Sequence, residues 1–195
     1  MNIGIDIDDT ITKTWETLMP ICVENFNITI DKLKTLPPYY GALKELISLE
    51  EYLEIMRKYE WLMQEIPLKE NVKEILNKLK EEGNKIIFIT ARGNTYSDPY
   101  KITKEYLDKL SIPYDKIIVN ALEKGIVCKE EQIDLFIDDS IRNCKDVSQN
   151  GIEVLMMETY FNENEKEFIH MKDWNQIYEY IKNRGFYGKQ QNINK

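Results

Sequence analysis

Three carboxylates end the first apolar run of the chain. Residues 3–7 are apolar except for Asp6, and Asp8 and Asp9 follow directly. Such a run, bounded by a polar turn, is typical of a strand buried on both faces of a parallel sheet. Ligands of open α/β sheets bind beyond the carboxyl ends of the strands, where Asp6 and Asp8 would lie. A helix N-cap would explain Asp8 or Asp9 but not Asp6, so these carboxylates indicate a site that a cation neutralises.

Later segments supply groups that complement these carboxylates. Thr90 follows a second apolar run, Lys124 opens a predicted helix, and Asp138 and Asp139 end a further run. Carboxylates from two strands form a hard oxygen site that suits Mg²⁺, and a hydroxyl and a lysine beside it can hold a phosphoryl group. An aspartate can attack phosphorus, while a second carboxylate two residues later protonates the leaving oxygen and then activates water.

Composition and charge exclude several classes of protein. The 195 residues carry a formal net charge of −8, which argues against stable nucleic-acid binding or a membrane-surface role. The chain has neither a membrane-length apolar stretch nor a signal-peptide pattern, so we expect a cytoplasmic protein. Cys22, Cys128 and Cys144 are widely spaced and are interpreted as buried thiols. The single histidine, His170, is interpreted as a surface residue.

The order of predicted elements indicates an α/β fold with a Rossmann-like parallel sheet. Strands are predicted at residues 3–7, 85–90, 116–119, 134–138 and 152–157. Helices are predicted at residues 69–82, 99–110, 123–131, 140–149 and 173–183, and residues 189–195 are expected to be a flexible tail.

A helical insertion is predicted after the first strand. A strand–helix–strand unit needs only about 30 residues, and the helix at 69–82 already supplies the crossover. Residues 13–67 are therefore surplus and are interpreted as a helical cap over a core of residues 1–12 and 68–188. Most aromatic residues of this cap are expected to form its own small core. Tyr39 and Tyr40, which follow two prolines, are the candidates for substrate contact.

These segments resemble the four ordered motifs of the haloacid dehalogenase superfamily of phosphatases. The motifs are DIDDT at residues 6–10, Thr90, a downstream lysine, and Asp138 with Asp139. The longer strings FITARG at residues 88–93 and IDLFIDDS at residues 133–140 resemble the 5′(3′)-deoxyribonucleotidase branch and its bacterial nucleotidase-like relatives. The resemblance covers the core well, but it covers the cap only in position, type and approximate size.

The resemblance implies roles for the acidic residues. Asp6 would be the nucleophile and Asp8 the general acid and base. Mg²⁺ would be held by the Asp6 side chain, the Asp8 backbone carbonyl and Asp138, with Asp139 in the outer shell. Thr10 would orient the loop that carries Asp8.

It also implies the groups that bind phosphate. Thr90 and Ala91 would contact the phosphate, together with a lysine. Lys124 opens its helix and is favoured over Lys129, which is expected to face solvent. For Arg92 two alternatives stay open, a substrate contact or a surface residue.

The expected function is a Mg²⁺-dependent phosphomonoesterase that passes through a phosphoaspartate and acts on (deoxy)nucleoside monophosphates. Alternatives are a phosphatase for another small phosphomonoester, such as a sugar phosphate or phosphoglycolate, and a non-catalytic protein that binds a phosphorylated ligand. A phospho-accepting regulatory domain also groups acidic strand ends around Mg²⁺. Asp8 and the insertion argue against that class.

Overall fold

A computed structural model describes residues 1–33 and 47–193, and a parallel sheet lies at its centre. The strands run in the order β3-β2-β1-β4-β5-β6, and every neighbouring pair is parallel. Ile3 and Ile5 of the central strand are fully buried, as its apolar sequence requires. The prediction of an α/β fold with a parallel sheet is confirmed. The strands are β1 (Asn2–Ile5), β2 (Lys85–Ile89), β3 (Lys116–Ile118), β4 (Leu135–Asp138), β5 (Glu153–Met157) and β6 (Ile169–Met171).

Helices cover both faces of the sheet. One face packs against α4, α5 and α8, and the other packs against α6 and α7. The helices are α1 (Thr14–Phe26), α2 (Ile30–Leu33), α3 (Leu49–Lys58), a 3₁₀ helix (Glu60–Gln64), α4 (Val72–Glu81), α5 (Pro99–Lys109), α6 (Lys124–Glu130), α7 (Ile141–Gln149) and α8 (Trp174–Ile193). In the described parts of the chain, none of these helices has the length and apolar character needed to cross a membrane.

Strand register brings the two acidic strand ends together. Ile5 of β1 pairs with Ile137 of β4, so the next residue on each strand is an aspartate. The backbone N–H of Asp6 donates to the carbonyl of Ile137 at 2.9 Å, which extends the pairing by one step. Asp6 and Asp138 therefore lie side by side at the carboxyl edge of the sheet.

In its described part, the segment between β1 and α4 consists of α1, α2, α3 and the 3₁₀ helix, joined by turns and loops. Its two connections to the sheet run side by side, because Lys13 N–H donates to Pro67 and Lys69 N–H donates to Ile11, each at 2.9 Å. The first part has an apolar cluster of its own, formed by Trp15, Met19, Cys22, Ile28 and Ile47. The last part differs, because Met63 and Ile66 pack into the main core.

The structure corrects two predictions near the end of the chain. The short strand β6 was not predicted, because its three residues carry no alternating pattern. His170 lies in this strand and is half-buried between Glu158 and Glu165, at 3.6 and 3.7 Å, so it is not a simple surface residue. Helix α8 extends to Ile193, ten residues beyond the end at residue 183 that the sequence predicted.

Two further predictions concern the cysteines and the cap tyrosines. Cys22, Cys128 and Cys144 are free and buried, as predicted. Tyr39 and Tyr40 lie outside the described residues.

A close contact between α6 and α7 generates a stability prediction. A Cβ at Gly125 would lie 2.3 Å from Asn150 Nδ2 and 2.5 Å from the Asp146 carbonyl oxygen. Gly125→Ala should therefore cost about 1–3 kcal/mol of unfolding free energy, the usual penalty for overpacking. Urea unfolding measures this loss. Ile126→Ala on the exposed side of α6 is the control, with an expected change below about 0.5 kcal/mol, and equal stabilities of the two variants would contradict the prediction.

Candidate active site

A buried lysine links the carboxylates of β1 and β4. Lys124, the first residue of α6, is 1% exposed, and its Nζ donates to Asp6 and, at 2.7 Å, to Asp138 Oδ2. Burial would lower the pKa of Lys124, but the charges of Asp138 and Asp6 raise it above its usual value. Lys129 is exposed on the same helix. Lys124 is therefore the lysine that reaches the strand ends.

One lysine does not neutralise all the negative charge at this edge of the sheet. Burial raises the pKa of Asp6 to about 7 against the opposing charge of Lys124, and the Asp138 and Asp8 carboxylates add to the rise. The pKa of Asp139 is also raised well above its ordinary value, by burial and by the charges of Asp138 and Asp9. Buried carboxylates of this kind favour a further cation.

Three carboxylates lie close enough to share a metal ion. One oxygen each from Asp6, Asp138 and Asp139 lies within 4.8 Å of the others, and all three residues are buried. An all-oxygen, all-carboxylate donor set matches Mg²⁺ or Ca²⁺ rather than a thiophilic metal. The residues present therefore fit the Mg²⁺ site expected from the sequence, with the Asp139 carboxylate inside the cluster rather than beyond it.

Neighbouring groups hold these ligand candidates in place. Asp138 accepts hydrogen bonds from the Ser140 backbone at 2.7 Å and from Asn143 Nδ2 at 3.1 Å. Thr10 donates to Asp139 Oδ1 at 3.2 Å, so it links the loop that carries Asp8 to the end of β4. Sequence reasoning did not name Asn143, although its place in the first turn after an acidic strand end was a usable signal.

Asp8 lies in a different environment, paired with an arginine. Arg92 donates from Nε to Asp8 Oδ2 at 2.8 Å and from Nη2 to Asp8 Oδ1 at 2.7 Å, and Thr14 donates to Oδ1 at 2.8 Å. Burial would raise the pKa of Asp8, but the charge and hydrogen bonds of Arg92, helped by Thr14, hold it below its usual value. Arg92 is 4% exposed, so the surface alternative for this residue is wrong.

Asp9 has a structural role. Its φ of 59° is in the left-handed region that Asp tolerates better than most residues. Its Oδ1 accepts the backbone N–H of Trp15 at 2.9 Å, which satisfies a donor in the first turn of α1. Asp9 is not the N-cap residue itself, which is Lys13, but its carboxylate serves the start of α1 and leaves Asp6 and Asp8 for the site.

The loop after β2 carries the expected phosphate-binding residues. Thr90 is 1% exposed and its Oγ1 accepts the Arg92 backbone N–H at 3.2 Å. Ala91 is exposed beside it. Gly93 is needed because a Cβ there would lie 2.2 Å from Asn120 Oδ1. The Asn120 N–H also donates to the Arg92 carbonyl at 2.7 Å, which fixes the loop.

A cavity of about 620 Å³ lies between the insertion and the sheet edge. Its polar end is formed by Asp6, Asp8, Thr90, Ala91, Arg92 and Asp139. Its opposite wall is mostly apolar and aromatic, with contributions from Trp15, Leu18, Cys22, Tyr52, Met56, Tyr96 and Phe161. The cavity therefore combines an acidic end that favours a bound cation with an apolar and aromatic surface that suits a flat group.

The chain shares its fold with hydrolases of the haloacid dehalogenase superfamily. A haloacid dehalogenase-like hydrolase from Streptococcus pneumoniae superposes with a TM-score of 0.62 at 16% identity, covering 92% of this chain and 97% of that chain. CbbY from Rhodobacter sphaeroides, solved in complex with phosphate, gives a TM-score of 0.66 at 13% identity, covering 89% and 94%. These similarities show the shared fold.

Sequence comparison identifies the family within that superfamily. Residues 1–186 match the model of the family described as 5′ nucleotidase, deoxy (pyrimidine), cytosolic type C protein. A nucleotidase of Clostridium acetobutylicum is 34% identical over 182 residues, covering 91% of this chain and 92% of the relative. The chain belongs to this nucleotidase family and is a phosphoric monoester hydrolase.

The Lys124 contacts generate a prediction about pH and stability. Lys124→Met leaves Asp6 and Asp138 without their buried counter-charge, a change that typically costs about 3–5 kcal/mol. Thermal or urea unfolding in excess chelator at pH 8 should show this loss, whereas Lys129→Met should be nearly silent. The carboxylates of the variant take up protons more readily, so the loss should shrink as the pH falls from 8 to 5. A loss that is constant or grows over that range would contradict the prediction.

Proposed function

We propose that the protein is a Mg²⁺-dependent nucleotidase that hydrolyses nucleoside monophosphates through a phosphoaspartate on Asp6. The observation that carries the proposal is the position of Asp6, in the wall of the cavity between buried Lys124 and the neighbouring carboxylates. The interpretation of residues 13–67 as a cap over the core is part of the proposal. A cytoplasmic location is supported by the family description.

The reaction has two steps, and Asp8 serves in both. In the first, an oxygen of Asp6 forms a bond to phosphorus while the bond to the ester oxygen breaks, and Asp8, which enters this step in its protonated form, gives that oxygen its proton. In the second, Asp8 takes a proton from a water molecule that attacks the phosphoaspartate. The second step releases phosphate and restores the Asp6 carboxylate.

Charged groups around Asp6 hold the phosphoryl oxygens. Lys124 supplies a buried positive charge, Thr90 supplies a hydroxyl, and Ala91 supplies a backbone N–H. Mg²⁺ would be held by Asp6, Asp138 and the Asp8 backbone carbonyl, with Asp139 beside them, and when bound it supplies positive charge that offsets the charge of the phosphoryl group.

The mostly apolar and aromatic wall supports a substrate with a flat base. The cavity volume of about 620 Å³ lies in the range that binds small organic ligands. Stacking of a base on an aromatic side chain is worth about 1–3 kcal/mol in nucleic-acid binding proteins. Trp15 and Tyr52 from the insertion, and Tyr96 from the core, line the cavity and could provide such a surface. The family description supports a deoxyribonucleotide.

The nucleophile is tested by Asp6→Asn. Removing the charge should reduce phosphate release in the presence of Mg²⁺ to background, while circular dichroism shows a folded protein. Asp31→Asn on the exposed surface of α2 makes the same chemical change and should keep full activity. Substantial turnover by folded Asp6→Asn, or full wild-type activity in excess chelator, would contradict the mechanism.

The substrate class is tested by a phosphate-release panel. Values of kcat/KM are compared for deoxynucleoside monophosphates, ribonucleoside monophosphates, sugar phosphates and phosphoglycolate. One stacking contact predicts a roughly ten- to hundredfold preference for compounds with a base. Replacing Tyr52 by Leu should reduce that preference while leaving sugar phosphate turnover nearly unchanged. A preference for a compound without a base would leave the phosphatase mechanism standing and remove the nucleotidase assignment.

A further inference from the structure

The proposed acid–base residue is held by an arginine that is almost inaccessible. Both Arg92 and Asp8 line the cavity, but the side chain of Arg92 is 1% exposed whereas that of Asp8 is 29% exposed. We propose that Arg92 is a positioning residue that acts through Asp8 and leaves only Oδ2 of Asp8 available for proton transfer. This inference rests on the proposed function and adds to it the atom that exchanges the proton.

The hydrogen bonds of the Asp8 carboxylate carry the argument. A carboxylate offers about four acceptor positions, two on each oxygen. Arg92 Nη2 and Thr14 Oγ1 occupy both positions on Oδ1, at 2.7 and 2.8 Å. Arg92 Nε occupies one position on Oδ2 at 2.8 Å. Within the described part of the chain one position therefore remains, and it lies on Oδ2.

Arg92 is itself held so that it can fix the carboxylate plane. Its backbone is bonded to Thr90 Oγ1 at 3.2 Å and to the Asn120 N–H at 2.7 Å. Its guanidinium lies 5.9 Å from the centre of the Tyr106 ring, and the Tyr106 hydroxyl donates to the Ile66 carbonyl at 2.7 Å. A bidentate arginine pair with these supports defines an orientation as well as a charge.

An unsatisfied donor supports a role in function. Arg92 Nη1 is buried and has no hydrogen-bond partner among the described residues. A buried donor without a partner costs about 1–3 kcal/mol, so stability alone does not account for this arginine. The other two nitrogens, Nε and Nη2, both donate to the Asp8 carboxylate. This is the arrangement expected of a residue that sets the geometry of Asp8.

A double-mutant cycle with two substrates tests the inference. The substrates are a deoxynucleoside monophosphate, whose leaving oxygen needs a proton, and 4-nitrophenyl phosphate, whose leaving group needs little protonation. Arg92→Met should lower kcat for the nucleotide by about 10²-fold, within the usual contribution of acid–base catalysis, with little change in KM. The loss should be clearly smaller for 4-nitrophenyl phosphate. Arg92→Lys, which keeps the charge without the fork, should be intermediate.

The same substitution in an Asp8→Asn background separates positioning from substrate contact. If Arg92 acts through Asp8, adding Arg92→Met to Asp8→Asn should change kcat by less than about twofold. A change of that size is within the usual error of such mutant comparisons. Arg142 is the comparison residue, because it lines the same cavity but is exposed. Arg142→Met should alter both substrates alike and should add fully to Asp8→Asn.

The outcomes distinguish this inference from the proposed function. If the wild-type protein is active, two results would overturn the positioning role and leave the proposed function standing. One is a raised KM of Arg92→Met for both substrates, and the other is full additivity of the two substitutions in the cycle. Wild-type protein that releases phosphate from no ester would overturn both proposals. If Arg92→Met does not fold, as judged by circular dichroism, the cycle with Arg92→Lys decides the question by the same criteria.

Discussion

The structure depends on the burial of four carboxylates beside one lysine at the carboxyl edge of a parallel sheet. Asp6, Asp138 and Asp139 are almost inaccessible, and Asp8 is only partly exposed. Burying such charges costs several kcal/mol for each ion unless partners offset it. Lys124 offsets part of this cost, and the remaining negative charge is what makes the site suitable for a divalent cation. The features that hold Lys124 in place, including the close α6–α7 contact at Gly125, are therefore requirements of the site.

Two neighbouring aspartates acquire different properties from their surroundings. Asp6 faces other carboxylates in a buried position, and its pKa rises to about 7. Asp8, two residues later, meets Arg92 and Thr14, and its pKa falls. Environments that separate the pKa values of paired carboxylates are how protein sites assign them different chemical roles. The separation here follows from their partners, because Asp6 bonds to Lys124 beside Asp138 whereas Asp8 bonds to Arg92 in the loop after β2.

The sequence predicted the features that depend on residue types within one short segment, such as a buried strand and the polar residue that ends it. Apolar runs that end at Asp6, Thr90 and Asp138 predicted three acidic or polar strand ends, and the parallel pairing of β1 with β2 and β4 made those ends neighbours. Sequence reasoning did not find β6, because three residues with a histidine at the centre show no strand pattern. It also left the role of Arg92 open, because a sequence does not distinguish a buried arginine from an exposed one when the carboxylate that pairs with it is unknown. Asn162 illustrates the same difficulty, because this buried loop residue donates to the carbonyl of Asp139, 23 residues earlier in the chain, as well as to that of Met157.

A mechanism that passes through a phosphoaspartate requires Asp6 itself to become phosphorylated. The direct measurement is to mix the protein with a radiolabelled deoxynucleoside monophosphate and Mg²⁺, quench with acid within milliseconds, and reduce the acyl phosphate with borohydride. Reduction converts a phosphorylated aspartate to homoserine, which peptide mapping by mass spectrometry locates. We expect acid-stable label in the protein and homoserine at position 6. Label at another residue, or complete turnover with no labelled protein at any quench time, would contradict the account.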